Sequence, residues 1–252
     1  ADLQNAAMVV VWGTNPVYTE PHLWRHIRLG RDKNGTKVVV IDPVKSATAH
    51  KADQYIPLKN PGNDLYLVMA MINYAIKNDL IDRDFVLNRT NAPFLVRRDT
   101  GEMMVNPAGG SGVGASGYDI NGVFVEGAAT YIEDVYYVHA ANGENVLLGT
   151  LSKDDRSNIA LEGTYTVNGV TCDTVYTLMK QHFAEYEIED AAEVMGADAE
   201  TLKAFAHEFC TIGPVTCNVS YGMDHYYNGH LFFQALCILQ GLLGNFGKHG
   251  AG

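Results

Sequence analysis

The 252-residue sequence has no C-x-x-C pair, no G-x-G-x-x-G fingerprint at the turn after its first strand, no long uninterrupted apolar run and few bases. Each shortage excludes something. Cys172, Cys210, Cys217 and Cys237 are the whole cysteine complement, and they lie far apart. That argues against a zinc ribbon or an iron–sulfur cluster held within these residues, and no disulfide framework is needed at this length. Buried free thiols are expected. The richest apolar stretch, LFFQALCILQGLLG at 231–244, is too short and too interrupted to span a bilayer, so no direct membrane insertion is expected. With 18 Lys and Arg against 29 Asp and Glu, the net charge is −11. Nucleic acid, whose phosphates require a basic surface, is not an expected partner. No signal peptide is recognisable, and the opening ADLQNAAMVVVWG reads as the interior of a domain, which leaves localisation open.

What charge there is lies unevenly. Arg25, Arg28, Arg31, Lys33, Lys37, Lys45 and Lys51 outnumber the acids of residues 1–51, so an anionic ligand is first sought there. Residues 185–200 carry only acids and read as the exposed face of a helix pair. Cores are expected around Trp24, Met69, Met71, Phe232 and Phe233.

Met8–Trp12 is a continuous apolar run, the pattern of a strand covered on both faces. Pro21 suits the first turn of a following helix, with Thr19 or Glu20 as its cap. KNGTKVVVIDP at 33–43 is a turn and a second buried strand, and QYIPL at 54–58 a short third. These make a β-α-β unit and a further step, hence a parallel sheet with right-handed crossovers. Residues 63–80 have the spacing of an amphipathic helix and 82–89 that of a short one. From 91 to 170, glycines (Gly109, Gly110, Gly112, Gly114, Gly117) and turn signals such as ANGEN indicate hairpins and loops. Helices are expected at 172–183, 187–195 and 198–210, with Asp198 capping the last. A buried strand at 213–222 and an apolar helix ended by Gly244–Asn245 complete the chain. The fold class is therefore α/β: a Rossmann-like parallel sheet with flanking helices, formed by 1–90 and 171–252, and an inserted β-hairpin and loop-rich segment at 91–170.

The turn after the first strand is Gly13-Thr14-Asn15-Pro16, and Asp42 ends the second strand 29 positions after Gly13. A tight turn, backbone N–H groups and an acid for a ribose are what a nucleotide-binding half requires, and Thr14 and Asn15 carry donors for phosphate oxygens. The same residues equally suit a strand-to-helix turn that tolerates positive φ. Gly62-Asn63-Asp64 opens the next helix. Its carboxylate either caps that helix or accepts two N–H bonds from a guanine edge. Asp224-His225-Tyr226-Tyr227 gathers polar tips after a strand, and His225 is a weak candidate acid–base group beside a purely structural reading. His22 and His26 are four apart on one helix but lack a third ligand, so no metal site is assigned.

Three stretches, in order, resemble the molybdopterin-dependent oxidoreductases of the dimethyl sulfoxide reductase type. They are NAAMVVVWGTNPVYTEPHLWRHI, GTKVVVIDPVKSATAHKADQYIPLKNPGNDLYLVMAM and YGMDHYYNGHLFFQALCILQGLLGNFGKHGAG. The resemblance implies a domain that binds one of two molybdopterin guanine dinucleotides, with molybdenum or tungsten, inside a larger catalytic subunit, and that is inactive alone. It implies Gly13, Thr14 and Asn15 at the pyrophosphate, Asp42 and Pro43 at the guanosine ribose with Ser46 and Thr48 nearby, Asp64 reading the guanine, and Gly62 among the cofactor contacts. Gly222, Met223, His225, Asn228 and Gly229 would approach the cofactor from the later strand. It further implies a [4Fe-4S] cluster outside these residues. The implied partners are an iron–sulfur electron-transfer subunit, together with the rest of the catalytic subunit. Val44 stands where the family often has Arg, and Lys45 lacks that planar fork. Two other readings stay open. One is a thiamine- or NAD-type Rossmann domain; the other is a stand-alone nucleotide-binding or scaffold domain without redox chemistry.

Overall fold

The computed structural model describes residues 2–106, 117–118, 124–125 and 135–252, so Gly109, Gly110, Gly112 and Gly114 lie outside the described residues. The chain divides into two compact units, Ala1–Asp82 with Phe183–Gly252, and Arg83–His182.

In the first unit, β1 (Met8–Trp12) is buried at every position and leads through Gly13 into a one-turn helix, α1 (Pro16–Thr19). The longer α2 (Pro21–Asn34) follows. The expected caps are not made: neither Thr19 nor Glu20 gives its side chain to the start of α2, and Pro21 opens it. Gly35, at φ 68°, closes it in the left-handed region that glycine enters without strain. β2 (Lys37–Asp42), β3 (Gln54–Pro57) and α3 (Asp64–Lys77) complete this half.

The second unit comprises α4 (Arg83–Arg89), β4 (Leu95–Arg97), β5 (Gly117–Tyr118), β6 (Phe124–Val125), β7 (Tyr137–His139) and β8 (Asn145–Leu147). A one-turn α5 (Lys153–Arg156), β9 (Thr164–Val167), β10 (Val170–Thr174) and α6 (Val175–Phe183) follow. β4, β10 and β9 form an antiparallel sheet over a small core of Leu95, Met104, Val167 and Cys172. Two antiparallel strand pairs, β5–β6 and β7–β8, accompany it. The expected helix at 172–183 is thus shortened. Val170–Thr174 is rich in β-formers and pairs on both edges, so pairing claims these residues before α6 begins.

The chain returns to the first unit with α7 (Ile188–Met195) and α8 (Ala199–Thr211), and Asp198 caps α8 as expected by accepting from Thr201 N. β11 (Val215–Val219) and α9 (Gly229–Leu242) finish the fold, joined by a 3-10 turn at Tyr221–His225. The four-stranded sheet is wholly parallel in the order β11-β1-β2-β3. Val9, Val11, Val38 and Val40 point to one face, where Leu3, Trp24 and Ile27 cover them. Alternation sends Trp12 to the other face, where its ring meets Phe232 of α9 edge-on at 5.0 Å. Each fully buried aliphatic side chain of these strands contributes about 1.5–3 kcal/mol relative to exposure.

Three burial expectations change. β11 is the edge strand of the sheet, buried at Val215 and only half-buried beyond; β1 pairs it on one side, and on the other Gly252 donates to Val215 O and accepts from Cys217 N. Cys237 is exposed, whereas Cys172 and Cys210 are buried and Cys217 is half-buried; all four are free thiols. Burial pushes the thiols of Cys210 and Cys217 up to about 12, so neither is reactive at neutral pH. Trp24, Met71 and Phe232 are core, while Met69 and Phe233 are half-buried. No helix among the described residues is long and apolar enough to cross a membrane.

Candidate functional site

β1 sends its chain outward to β2 and β3 on one side, and β11 returns on the other. Strand order therefore reverses between β1 and β11, and an open parallel sheet leaves a crevice at the carboxyl ends of the strands there. A crevice of about 150 Å³ lies at these ends. It is lined from β1 by Gly13, from β2 by Ile41, Asp42 and Pro43, and from the β3–α3 loop by Leu58, Pro61, Gly62 and Asp64. Ser220, Gly222, Met223 and Tyr226 close it from the segment after β11. Pockets that enclose a whole ligand usually run from about 300 Å³ upward, so this one suits one end of a longer molecule.

The geometry follows from the turns. Gly13 sits at φ 64° and its N–H extends the ladder to Ile41 O at 2.8 Å, while Ser220 N–H reaches Trp12 O at 2.9 Å. Gly62 sits at φ 91°, and a Cβ there would lie 2.5 Å from the Tyr226 ring, so Tyr226 packs against bare backbone. Gly229 opens α9 where a Cβ would stand 2.3 Å from Met223 O. The short 3-10 turn and the helix start can touch only because that position is glycine.

Two carboxylates face the crevice. Asp64 is 3% exposed; its Oδ1 accepts from Trp12 Nε1 at 2.7 Å and its Oδ2 from Gly62 N at 3.1 Å. It stands at the first position of α3 without capping it, since Asn63 is the cap residue and offers no side-chain bond. Asp42 is 8% exposed; its Oδ1 accepts from Val44 N at 2.7 Å and its carbonyl from the Tyr55 hydroxyl at 3.0 Å. Burial and, to a lesser degree, the charge of Asp64 raise the Asp42 carboxyl above the usual carboxylate range, against the Val44 bond that lowers it. Among the described residues, no Lys or Arg lines the crevice. The basic surplus of residues 1–51 is placed elsewhere: Arg25, Arg28 and Arg31 lie along α2, and Arg31 is paired with Asp53 at 2.5 Å. The two carboxylates keep unused lone pairs directed at a space without a cation, an arrangement that suits a ligand rich in N–H and O–H donors.

Seven of the residues selected from sequence meet here: Gly13, Asp42, Pro43, Gly62, Asp64, Gly222 and Met223. Thr14, Asn15, Ser46 and Thr48 form an adjoining pair of turns instead. Asn15 Oδ1 accepts from Thr48 Oγ1 at 2.7 Å and Thr48 N at 3.2 Å, and Thr48 Oγ1 accepts from Val17 N at 3.1 Å. Ser46 Oγ accepts from Ala49 N at 3.2 Å. The first free N–H of α1 is thereby taken by Thr48, so α1 does not present an open helix N-terminus. Asn15 Nδ2 and the Thr14 hydroxyl keep no partner among the described residues. His225 is exposed, stacked edge-on with Tyr221 at 4.7 Å and outside the crevice, as is Asn228. Ile41, Leu58, Pro61, Ser220 and Tyr226 were not selected as contacts from sequence. Ser220 had a signal, for it ends β11 as Gly13 ends β1. No group of three or more His, Cys, Asp or Glu able to hold a metal occurs among the described residues.

Fold and crevice define an open parallel α/β domain whose crevice lies at a strand-order reversal. A family model, molybdopterin oxidoreductase, matches residues 1–252, and the chain belongs to that family. It is 32% identical over 249 residues to a Halobacterium salinarum protein described provisionally as a dimethyl sulfoxide reductase catalytic subunit, covering 99% of this chain and 27% of that one. It is 28% identical over 256 residues to the alpha subunit of formate dehydrogenase 2 (cytochrome c-553) from Nitratidesulfovibrio vulgaris, covering 100% of this chain and 22% of that one. The alpha subunit of perchlorate reductase from Dechloromonas aromatica is also 28% identical, over 270 residues, with 100% and 29% covered. Acetylene hydratase from Pelobacter acetylenicus shares the fold at a TM-score of 0.58 and 19% identity, over 98% of this chain and 22% of that one. The chain spans about a quarter of the length of these relatives, in keeping with the expected segment of a larger catalytic subunit.

Proposed function

We propose that this chain is the part of a molybdopterin oxidoreductase catalytic subunit that grips the guanosine end of a molybdopterin guanine dinucleotide. The observation that carries the reading is the pair of buried carboxylates, Asp42 and Asp64, beside the bare backbone of Gly13 and Gly62. Asp64 retains one acceptor lone pair on each oxygen beyond its bonds to Trp12 and Gly62, enough for the N1–H and N2–H of a guanine edge. An adenine edge offers no such donor pair, so the site discriminates by leaving a buried acceptor unpaired with the wrong base. Asp42 accepts from a ribose hydroxyl at the end of β2. Gly13 gives the pyrophosphate close backbone approach, and Thr14 Oγ1 and Asn15 Nδ2 donate to its oxygens. Held by Thr48, the Asn15 side chain is already oriented for that bond.

The bound cofactor supplies the redox chemistry through its molybdenum or tungsten. What these residues supply is position. A nucleotide fixed at one end by rigid strand termini holds the distant metal centre in place. The relatives are catalytic subunits. By analogy the rest of the subunit, with a [4Fe-4S] cluster, and an iron–sulfur electron-transfer subunit complete the enzyme. The test is to purify the catalytic subunit that contains this chain, hydrolyse its cofactor in acid and identify the nucleotide released. Guanosine monophosphate is expected; an adenine nucleotide, or none, overturns the proposal.

A further inference from the structure

α9 has no Asp, Glu, Lys or Arg in its 14 residues, within a chain that is 19% charged. Its inner face is accounted for: Phe232, Leu236, Leu239 and Leu242 are buried, and the helix packs on α3. A helix at a domain surface ordinarily turns charged residues to the solvent on its other face. Here the outer arc holds Leu231 and Ile238, 39% and 38% exposed, with Cys237 beside them. Only His230 and Gln234 interrupt it with polar atoms. Positions 231, 234 and 238 stack in successive turns on one stripe. Phe246, 44% exposed, extends the patch past the helix end, with its ring edge beside Gly241.

We infer that this outer face of α9 docks permanently against another domain of the same catalytic polypeptide. The inference rests on the reading of the chain as part of a larger catalytic subunit. The relatives indicate the occupant. This chain spans 22–29% of their length, so most of a polypeptide of that kind is available to cover the face. The composition fits a permanent contact, for the buried centre of an interface is depleted of charge, whereas surfaces that part and return to water keep a polar character. A contiguous apolar stripe left in water also invites self-association, a cost that a tethered domain removes.

Cys237 lies within the patch and is the exposed one of the four thiols, which makes it a reporter already in place. N-ethylmaleimide is applied to the purified, cofactor-loaded catalytic subunit, and the Cys237 peptide is quantified by mass spectrometry against the same subunit in denaturant. The expected result is native labelling roughly a hundredfold slower than in denaturant, at a rate independent of protein concentration, because the thiol reacts only through rare opening. Labelling within a few-fold of the denatured rate overturns the inference. So does protection that disappears on dilution, which assigns the face to a second copy of the protein. Guanosine measured in the same sample separates the two proposals: an open Cys237 with guanosine present refutes the interface alone, and a protected Cys237 without guanosine refutes the nucleotide reading alone.

Discussion

The indole Nε1 of Trp12 donates a 2.7 Å hydrogen bond to Oδ1 of Asp64, joining two buried residues 52 positions apart. It ties the carboxyl end of the central strand to the first turn of α3 and fixes the Asp64 carboxylate in one rotamer. The positive end of the α3 dipole faces the same carboxylate. Trp12→Phe keeps the edge-on contact with Phe232 but removes the donor, leaving a buried oxygen short of a partner. A loss of about 2–4 kcal/mol is expected from the unpaired acceptor and the smaller ring. Urea unfolding of the purified subunit, followed by a probe local to this unit, measures it.

Gly62 and Tyr226 form the second joint. Gly62→Ala puts a methyl into the tyrosine ring at a backbone φ of 91°. The expected cost is about 2–4 kcal/mol, part from backbone strain and part from the clash. Adding Tyr226→Ala relieves the clash and leaves the strain. The double variant is therefore more stable than the sum of the single changes by about 1 kcal/mol, as a double-mutant cycle in thermal unfolding reads directly.

Asn15 separates structural from ligand-facing roles within one side chain. Asn15→Ala strands the hydroxyl and N–H of Thr48, which is 0% exposed, and is expected to cost about 2–3 kcal/mol. Asn15→Asp keeps the acceptor and costs less than about 1 kcal/mol, but it replaces the outward amide donor with a negative charge. Under the proposed function it retains the fold and loses cofactor. Nucleotide content per subunit, measured beside the unfolding midpoint, distinguishes the two variants.

Asp42 predicts a pH signature. Its carboxyl is raised in the folded state, chiefly by burial, so the native protein binds more protons than the unfolded chain between the unfolded and folded values. Stability contributed by the protonated form is full below the ordinary carboxylate value and is lost as pH rises through the raised one. Asp42→Asn removes that dependence while still accepting from Val44 N. In the cofactor-free protein, the variant is expected to gain on the wild type as pH climbs from the ordinary carboxylate value through the raised one. Denaturant midpoints across that range test it, and an advantage at low pH instead would reverse the sign.

The parallel sheet was readable because its strands are covered on both faces, and Met8–Trp12 and Val38–Ile41 declare this as unbroken apolar runs. Gly13 and Asp42 were legible for a related reason: they stand where such runs stop, while Asp64 was marked by opening the helix after Gly62-Asn63. Contacts contributed by distant segments were not. Tyr226 reaches the crevice only because Gly62 lacks a side chain, and Trp12 looks like one more core residue until its indole meets Asp64. Asn15 suited a phosphate and Thr48 a place near the ribose, yet they satisfy one another across 33 positions. Local sequence reports which groups can bond; the register of the sheet decides with whom. The edge position of β11 was equally hidden, since an edge strand and an inner one can carry the same residues.

The central claim is that this crevice holds guanosine, and the guanosine content of the Asp64→Asn protein tests it most directly. Asn at this position keeps the size and one acceptor but turns an N–H toward the base where two acceptors are required. Because this domain is read as holding one of two dinucleotides in the subunit, the account predicts that occupancy here falls at least about tenfold, the worth of roughly one charge-assisted hydrogen bond, and that guanosine per folded subunit drops to about half, while Asp190→Asn on the exposed face of α7 leaves it unchanged. A folded Asp64→Asn protein with undiminished guanosine would contradict the account and move the nucleotide out of this crevice.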